Sequence, residues 1–401
     1  MREEIDKSTT ISRGQMKKVY FIFHDMGAGH RSTANALKEV IEKQKLPWEV
    51  QTVEVFKEIF GTNLPQYVYN KFVLQKKWAK IINDPLLNPL FKLQIKLNHS
   101  VWRNLLQNYW RQHKPDIVIS LLPNVNRVLC ESLRAELPDV PFVTVMTDFA
   151  DCPPNFWIEP QEQFLVCPSE RAVKQAQSFN YSEQRIFRTS GVIIHPRFNE
   201  PITVDRQSER LRLGLEPDLP TGLVMFGSHG SKEMIDIAEC LEQSSRKLQL
   251  IFICGRNEKL ARDLRNSQSC LPKLVETFTS QIPYYMHLSD FFIGKPGSVG
   301  ISEAVARNLP VITECNNVTL FQERATAEWL TNNEFGIVVE NFCSINKAVA
   351  KLIQPENFAH YRANAESYKN QAVFEAVDIF SKILEQTTKS PLLATTNLYL
   401  R

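Results

Sequence analysis

Short apolar runs alternate with helical patterns along nearly the whole chain. The apolar runs are KVYFIF, PDIVISLL, PFVTVMTD and QFLVCPS in the first half, and LVMFGS, QLIFICG, DFFIGKPG, PVITE and GIVV in the second. Between them, apolar residues recur every three or four positions, which is the period of a helix. Such an alternation is typical of parallel sheets that are covered by helices on both faces. The pattern therefore predicts an α/β fold built from doubly wound sheets.

The alternation is interrupted near the middle of the chain. Residues 199–220 are polar and contain proline, as linkers between domains often do. A chain of 401 residues is long enough for two domains. We predict a first domain over residues 15–198, a second over 207–365, and a helix within 366–388 that packs back on the first domain. Two such domains enclose a cleft in which ligands are expected.

The first predicted strand leads into a chemically distinctive loop, in the stretch FIFHDMGAGHRSTANALKEVI (residues 21–41). Gly27, Ala28 and Gly29 leave the backbone uncovered, and His30 follows where a helical pattern begins. The first amides of a helix favour anions, phosphate especially. The stretch is predicted to hold an anionic group beside an imidazole. A tight turn with a solvated histidine is the alternative, and the usual dinucleotide fingerprint is not matched.

Two similar loops are predicted in the second half, within VMFGSHGSKEM (224–234) and GKPGSVGISEA (294–304). Glu303 lies in the first turn of the helix after the second loop, where it either balances the helix dipole or accepts bonds from ribose hydroxyls. Gln322 and Glu323 follow the strand PVITE, and they are either sugar-binding residues or a solvated pair. Amides for phosphates and a carboxylate for a sugar diol are what a nucleotide diphosphate requires.

The net charge of +3 is unevenly distributed. Residues 71–114 contain nine Lys or Arg residues and one acidic residue, so the rest of the chain is net negative. Within this segment, apolar residues recur at helical spacing at Leu90, Leu93, Leu97, Val101 and Leu105. Tryptophans and basic residues accompany them, among them Lys92, Lys96, Trp102 and Arg103. A helix lying on an anionic membrane surface is predicted, with a core helix that has one solvated face as the alternative.

Other classes of protein are not favoured by the composition. The eight cysteines form no C-x-x-C pair, so neither a zinc site nor a disulfide framework is expected. No apolar run approaches the roughly 20 residues of a membrane span, and the N-terminal residues lack the apolar core of a secretory signal. The basic segment lacks a nucleic-acid recognition module. We expect a protein on the cytoplasmic side, with no metal, cofactor or nucleic-acid partner.

Several motifs together resemble the monogalactosyldiacylglycerol synthases and processive diacylglycerol glucosyltransferases, relatives of the transferase that adds N-acetylglucosamine to the peptidoglycan lipid carrier. DMGAGHRSTANAL is similar to the family's D-T-G-G-G-H-R-x-S/A-A-x-A, and VTVMTDF to its V-T-V-x-T-D. SGVIIHPRF, LIFICGRNEKL, GKPGSVGISEA and FQE resemble its G-x-P-I-x-P-x-F, V-V-I-C-G-R-N-x-x-L, K-A-G-P-G-T-I-A-E-A and P-G-Q-E segments. The matches span about residues 18–385.

The resemblance implies a GT-B fold, a UDP-galactose or UDP-glucose donor, diacylglycerol as acceptor, and inversion without an essential metal. By position, His30 matches the family's glycine-loop histidine and Glu303 its ribose-binding glutamate, while Gln322 and Glu323 match the donor-sugar residues. The remaining donor-binding positions that it implies are Gly227, Ser228, Gly255, Asn257, Phe278, Gly297, Ser298, Val299, Gly300 and Ile301.

The chain also departs from the family. Met26 and Ala28 replace Thr and Gly in the first loop, and Pro153 stands where plant-type members have a histidine. Residues 320–321, Leu-Phe, replace Pro-Gly before Gln322. This last change adjoins the predicted sugar pocket.

A transferase of this kind needs a base that removes the proton of the acceptor hydroxyl. His30 is the first candidate, because imidazole titrates near neutral pH. Asp148, in MTDF, is the second, either as the base or as the group that orients it. The predicted function is synthesis of a membrane glycolipid. The alternatives are a transferase that uses UDP-N-acetylglucosamine or another acceptor, a nucleotide-sugar epimerase, and a regulator that binds UDP-sugar without turnover.

Overall fold

A computed structural model of the chain describes residues 16–25, 29–62, 88–243, 247–267 and 271–389. It contains two parallel six-stranded sheets, one in each half of the chain. All nine apolar runs named above form strands of these sheets. The predicted α/β class with two doubly wound sheets is therefore confirmed.

The first sheet has the strand order β2-β1-β3-β4-β5-β6. Its strands are β1 (Lys17–Phe23), β2 (Trp48–Glu54), β3 (Ile117–Ser120), β4 (Phe142–Val145), β5 (Phe164–Cys167) and β6 (Ile186–Arg188). The helices of this half are α1 (Gly29–Lys43), α2 (Val55–Glu58), α3 (Asn88–His113), α4 (Asn126–Glu136) and α5 (Glu170–Ser178).

The second sheet has the order β12-β11-β10-β7-β8-β9. Its strands are β7 (Thr221–Met225), β8 (Gln249–Ile253), β9 (Lys273–Glu276), β10 (Phe291–Gly294), β11 (Val311–Glu314) and β12 (Gly336–Val339). The helices are α6 (Arg206–Arg212), α7 (Glu233–Glu242), α8 (Glu258–Asn266), α9 (Ile282–His287), α10 (Ser298–Ala306), α11 (Phe321–Asn332), α12 (Ile345–Leu352), α13 (Pro355–Ser367) and α14 (Ala372–Lys389).

The last helix returns to the first sheet, as the sequence predicted. Phe380 and Ile383 of α14 pack with Phe21 of β1 and Leu37 of α1 in one buried cluster. Burying side chains of this size contributes about 1.5–3 kcal/mol each, so the contact is a substantial part of the first domain's core. Without α14, one face of the first sheet would lose much of its apolar cover.

The chain crosses between the two cores at two adjacent places. Ile193 packs in the core of the first sheet, whereas the next residue, Ile194, packs in that of the second. On the return path, the Asn370 side-chain amide donates to the Val192 carbonyl over 2.9 Å, and the Tyr368 hydroxyl donates to the Ser190 carbonyl over 2.5 Å. The two crossings are thus tied together, and the domain boundaries at 198 and 207 stay predictions.

Among the helices of the described ranges, none is both long enough and apolar enough to cross a membrane.

Candidate active site

The strand order produces a crevice at the carboxyl edge of each sheet. In the second sheet, β7 is followed by β8 on one side and β10 on the other, so the winding reverses between β7 and β10. The first sheet reverses in the same way between β1 and β3. Open α/β sheets bind ligands outside the carboxyl ends of their strands at such a reversal. The loops after β1, β7 and β10 therefore border the candidate site.

The two crevices face each other across a narrow cleft. Ser298, the first residue of α10, donates from its hydroxyl to the main-chain carbonyl of Thr147, just after β4, over 2.6 Å. A Cβ placed on Gly29, the first residue of α1, would lie 3.5 Å from Cγ2 of Val299. Loops of the two domains therefore contact each other, and a ligand held between them touches both.

His30 occupies the first-domain side of the cleft. Its ring lies edge-on to that of Trp157, with centroids 6.1 Å apart, and to that of His24, with centroids 4.3 Å apart. Burial lowers the pKa of His30 to about 4, against the opposing effect of a hydrogen bond to the His24 main chain. At neutral pH the imidazole is therefore uncharged, so one of its ring nitrogens has a free lone pair.

Asp148 follows β4 and also contacts Trp157. Its Oδ2 accepts a hydrogen bond from the Trp157 indole N–H over 3.0 Å, and its Oδ1 lies 3.4 Å from the Ser298 hydroxyl. Burial raises the pKa of Asp148 to about 6, although the bond from Trp157 acts in the opposite direction. His30 and Asp148, which are 118 positions apart in the sequence, are thus brought against the same indole ring.

Trp157 is a site residue that the sequence analysis missed. The buried carboxylate of Asp151 accepts from the main-chain N–H groups of Asn155 and Phe156 over 2.9 Å and of Trp157 over 2.6 Å. These bonds hold the loop that carries the indole. Asp151 therefore stabilises the loop that carries Trp157 and does not face the cleft as Asp148 does. Within the described ranges, no three His, Cys, Asp or Glu side chains converge as a metal site would require.

The second-domain loops after β7 and β8 approach each other at main-chain distance. Gly255 has a φ of +58°, and a Cβ there would overlap the Ser228 carbonyl oxygen. That oxygen accepts from the Arg256 N–H over 2.8 Å. The Asn257 side chain donates to the His229 carbonyl over 3.3 Å and caps α8. Asn257 therefore supports the loop through its side chain.

Lys295 is a second residue that the sequence analysis left without a role. Its Nζ lies 2.7 Å from Oε1 of Glu323. Its Cε lies 3.9 Å from the position of a Cβ on Gly227 and 3.5 Å from that of a Cβ on Gly297. The lysine side chain thus lies between the two glycine loops, at the reversal of the second sheet. Its charge also acts to lower the pKa of Asp148 across the cleft.

The other predicted donor residues occupy different settings. Glu303 is 8% exposed, and burial raises the pKa of its carboxyl to about 8. Phe278 is 59% exposed, with the Arg256 guanidinium 5.1 Å above its ring. Gln322, in the first turn of α11, is half-buried. The side chain of Ile301 is buried in the core of the second sheet, so only its main chain can serve a ligand.

Some predicted residues lie outside the described part of the chain. Gly27 and Ala28 fall in the gap between residues 25 and 29. Lys92 and Lys96 lie within α3, but their side chains are not among those described. Trp102 stacks on Phe60, with centroids 4.5 Å apart and planes 6° apart, so its ring packs against the protein.

Comparison with known proteins gives two family matches. The family described as "Monogalactosyldiacylglycerol (MGDG) synthase" matches residues 30–194, and "Glycosyltransferase family 28 C-terminal domain" matches residues 221–383. The probable monogalactosyldiacylglycerol synthase 3 of Oryza sativa subsp. japonica is 27% identical over 417 residues, covering 94% of this chain and 76% of that protein. Monogalactosyldiacylglycerol synthase 2 of Arabidopsis thaliana is 26% identical over 396 residues, covering 94% and 83%. Both relatives are described as chloroplastic.

Solved structures share the fold. MurG of Acinetobacter baumannii superposes with a TM-score of 0.62 at 15% identity, covering 91% of this chain and 99% of that one. MnaA of S. aureus in complex with UDP superposes with a TM-score of 0.60 at 15% identity, covering 94% and 98%. With the monogalactosyldiacylglycerol synthase family matching the first half, the glycosyltransferase family 28 C-terminal domain matching the second, and relatives of one name along almost its whole length, the chain is a GT-B glycosyltransferase that resembles the monogalactosyldiacylglycerol synthases.

Proposed function

We propose that this enzyme transfers a hexose, galactose or glucose, from a UDP-sugar to the free hydroxyl of diacylglycerol at a membrane surface, with inversion at the anomeric carbon. The observation that carries the proposal is the cross-cleft arrangement of two groups that can accept a proton, His30 and Asp148, opposite the glycine loops and Lys295. The names of the relatives support diacylglycerol as the acceptor and galactose as the first sugar to test.

In this proposal the second domain, residues 207–365, binds UDP. The main-chain amides around Gly227 and Gly297 hold the diphosphate, and the buried carboxylate of Glu303 accepts from the ribose hydroxyls. The exposed face of Phe278 and the amides around Gly255 border the uracil, and the sugar reaches Gln322 and Glu323. Lys295 supplies the positive charge that stabilises the departing UDP, because fixed charges and dipoles aimed at a leaving group act strongly in a dry cleft.

We assign the role of base to His30, because donor binding raises the pKa values of both candidate groups and this favours His30 over Asp148. A diphosphate between the domains places negative charge beside Gly29 and Ser298. Negative charge favours imidazolium and disfavours carboxylate, so the pKa values of His30 and Asp148 both rise. His30 moves from about 4 toward neutrality, where a base is most effective, whereas Asp148 moves above 6 and becomes protonated.

The chemical step follows from these positions. The hydroxyl oxygen of diacylglycerol bonds to C1 of the sugar from the face opposite UDP, and the bond from C1 to the diphosphate oxygen breaks. The hydroxyl proton goes to His30, and the electron pair leaves with UDP toward Lys295 and the loop amides. Attack from the opposite face inverts the anomeric configuration. The contact from Ser298 to Thr147 keeps the cleft closed against water.

We further propose that α3 docks on the membrane, with the enzyme peripheral on the cytoplasmic side. Leu97, Val101 and Leu105 are 73%, 57% and 38% exposed and lie four residues apart, so they form one apolar stripe on the helix. Leu106 and Trp110 on another face of α3 are buried. A stripe of exposed apolar residues in a basic segment suits the interface of an anionic bilayer.

The test offers UDP-galactose, UDP-glucose and UDP-N-acetylglucosamine separately to the purified protein, with and without diacylglycerol vesicles that contain anionic lipid. We expect UDP release only with vesicles, and a β-linked glycolipid from one of the two hexose donors. Conversion of the sugar without acceptor would indicate an epimerase. A product formed only from UDP-N-acetylglucosamine would indicate the alternative transferase, and binding of UDP-sugar without any turnover would indicate a regulator. Each of these three results contradicts the proposal.

Val101→Asp tests the membrane surface alone. The exposed position tolerates the change, so we expect weaker sedimentation with vesicles and unaltered binding of UDP. Lys351→Gln, exposed on α12 and far along the chain from α3, serves as the control for an equal change of charge. Equal sedimentation of Val101→Asp and the wild type would remove α3 from the membrane contact.

A further inference from the structure

His24 is a buried histidine that the mechanism above does not use. It follows β1 directly and is 5% exposed. Its ring lies against Phe56, with centroids 6.2 Å apart, and that ring in turn contacts Trp102 at 5.9 Å. On its other side, Nδ1 of His24 lies 3.3 Å from Nδ1 of His30. His24 therefore fills the space between the candidate base and the aromatic side chains behind it.

The contact between the two rings restricts where their protons can lie. A neutral imidazole has one N–H and one lone pair, so two facing nitrogens attract each other only when one carries hydrogen and the other does not. The ring planes are inclined at 77°, and the two Nδ1 atoms lie within hydrogen-bonding distance of each other. Both rings are neutral at neutral pH, because burial lowers the pKa of each.

We infer that His24 is a positioning residue that accepts a hydrogen bond from the Nδ1–H of His30 and so leaves the lone pair of His30 on Nε2, facing the cleft. This inference rests on the proposed role of His30 as base. In the opposite arrangement, His24 donates and Nε2 of His30 carries the hydrogen, so no lone pair faces the cleft. The main-chain carbonyl of His24 is a hydrogen-bond partner of both imidazoles, so the direction of donation follows from the lone pair that the proposed base requires.

The inference also explains how His30 is oriented while its pKa stays low. In a Ser-His-Asp triad a carboxylate holds the histidine tautomer and stabilises the imidazolium that forms. A neutral imidazole holds the tautomer without adding negative charge. His30 therefore remains a weak base until the diphosphate arrives, which couples removal of the acceptor proton to the presence of the donor.

A matched pair of variants tests this role. His24→Asn keeps an oxygen acceptor near the position of Nδ1, whereas His24→Leu has nearly the same size and packs against Phe56 but cannot accept. We expect His24→Leu to lower kcat by on the order of 10²-fold, because general base catalysis contributes about 10²–10⁴-fold and a large part of it is lost. The KM for UDP-sugar should stay unchanged. His24→Asn should stay within a few-fold of wild type.

The outcomes separate this inference from the proposed function. A residue that only fills space predicts the reverse order, with leucine tolerated and asparagine harmful, and that result would overturn the inference. Wild-type turnover in His24→Leu would also overturn it, even if His30→Ala is inactive. If His30→Ala turns over normally, the proposed base itself is wrong.

A second measurement does not depend on folding of the variants. Nitrogen-15 chemical shifts of the histidine rings in the wild-type protein report which nitrogen carries hydrogen. We expect His30 to carry it on Nδ1, with Nε2 showing the shift of a bare ring nitrogen. A neutral His30 ring with hydrogen on Nε2 and none on Nδ1, in the free or the UDP-bound protein, would contradict the inference.

Discussion

The two sides of the cleft differ in the groups that they present: side chains on the first-domain side and mainly main-chain groups on the second-domain side. On the first-domain side, the groups are side chains that touch one another, such as His24 and His30, or Asp148 and Trp157. On the second-domain side, glycine loops bring the main chain to the surface, and Lys295 spans them. A main-chain site keeps its geometry as long as the sheet is folded. A side-chain site depends in addition on burial, which sets the pKa of each group.

The largest loss of activity is expected from a change on the first-domain side of the cleft, where side chains line the site. His30→Gln removes the base and should lower kcat by roughly 10²–10⁴-fold, while UDP still binds in calorimetry. Asp148→Asn is the matched control, because a protonated carboxyl in the donor complex resembles an amide, and it should keep activity within about tenfold of wild type. If Asp148→Asn lowers kcat more than His30→Gln does, Asp148 is the base and His30 has the supporting role.

On the second-domain side of the cleft, Lys295 is the exception, because it acts through its side chain. Lys295→Met should lower kcat by on the order of 10²–10³-fold, because the departing diphosphate loses its nearest cation. Lys295→Arg keeps the charge and should restore much of the rate. Initial rates at saturating donor measure the effect, and a change confined to KM would assign Lys295 to ground-state binding instead.

Gly255→Ala tests whether the donor loops depend on close approach of the main chain. The positive φ and the overlap with the Ser228 carbonyl should displace the loop after β7 and cost about 1–3 kcal/mol. We expect weaker UDP binding by calorimetry and a lower midpoint in thermal unfolding. Gly214→Ala is the control, because Gly214 also has a positive φ, of +75°, but a Cβ there would have no neighbour within 4 Å; this variant should bind UDP as the wild type does.

The smallest effect expected is a pH dependence of UDP affinity. The Glu303 carboxyl, with a pKa near 8 in the free protein, holds its proton at pH 7 and loses it when the ribose hydroxyls donate to it. Because donor binding also raises the pKa values of His30 and Asp148 and so takes up protons, the contribution of Glu303 is the difference between the wild type and Glu303→Gln. Relative to Glu303→Gln, the affinity of the wild type for UDP should rise as the pH increases toward 8, by at most about tenfold per unit, and then level off. Calorimetry in two buffers at pH 7 should show a smaller net uptake of protons in the wild type than in Glu303→Gln. The same pH profile in both proteins would place the ribose elsewhere.

Most of the fold could be predicted from the apolar pattern, but three strands could not. β2 lies at one edge of the first sheet, and its sequence WEVQTVE alternates with polar residues. β6 and β9 are also edge strands, of three and four residues. A strand with only one neighbour needs less apolar surface, so its sequence differs little from that of a loop.

The candidate site was predictable only where a loop pattern marks it. The small residues before His30 and before Glu303 identify two strand-to-helix loops, and the family resemblance adds Asp148. Trp157 carries no such local mark, and His24 and Lys295 lie within the marked segments without a spacing that assigns them a role. Ser298 stays a predicted donor-binding residue, and the structure adds that its hydroxyl donates across the cleft to Thr147.

The sequence by itself determined which segments become buried strands, that these form two parallel sheets, and which loops leave their main chain open to an anion. Those properties follow from local spacing and residue size. Only the tertiary structure decided that His24 faces His30, that His30 and Asp148 contact the same indole, and that Lys295 lies between two glycine loops. Such contacts join residues from different strands, and burial then sets the pKa of each group according to neighbours that are distant along the chain.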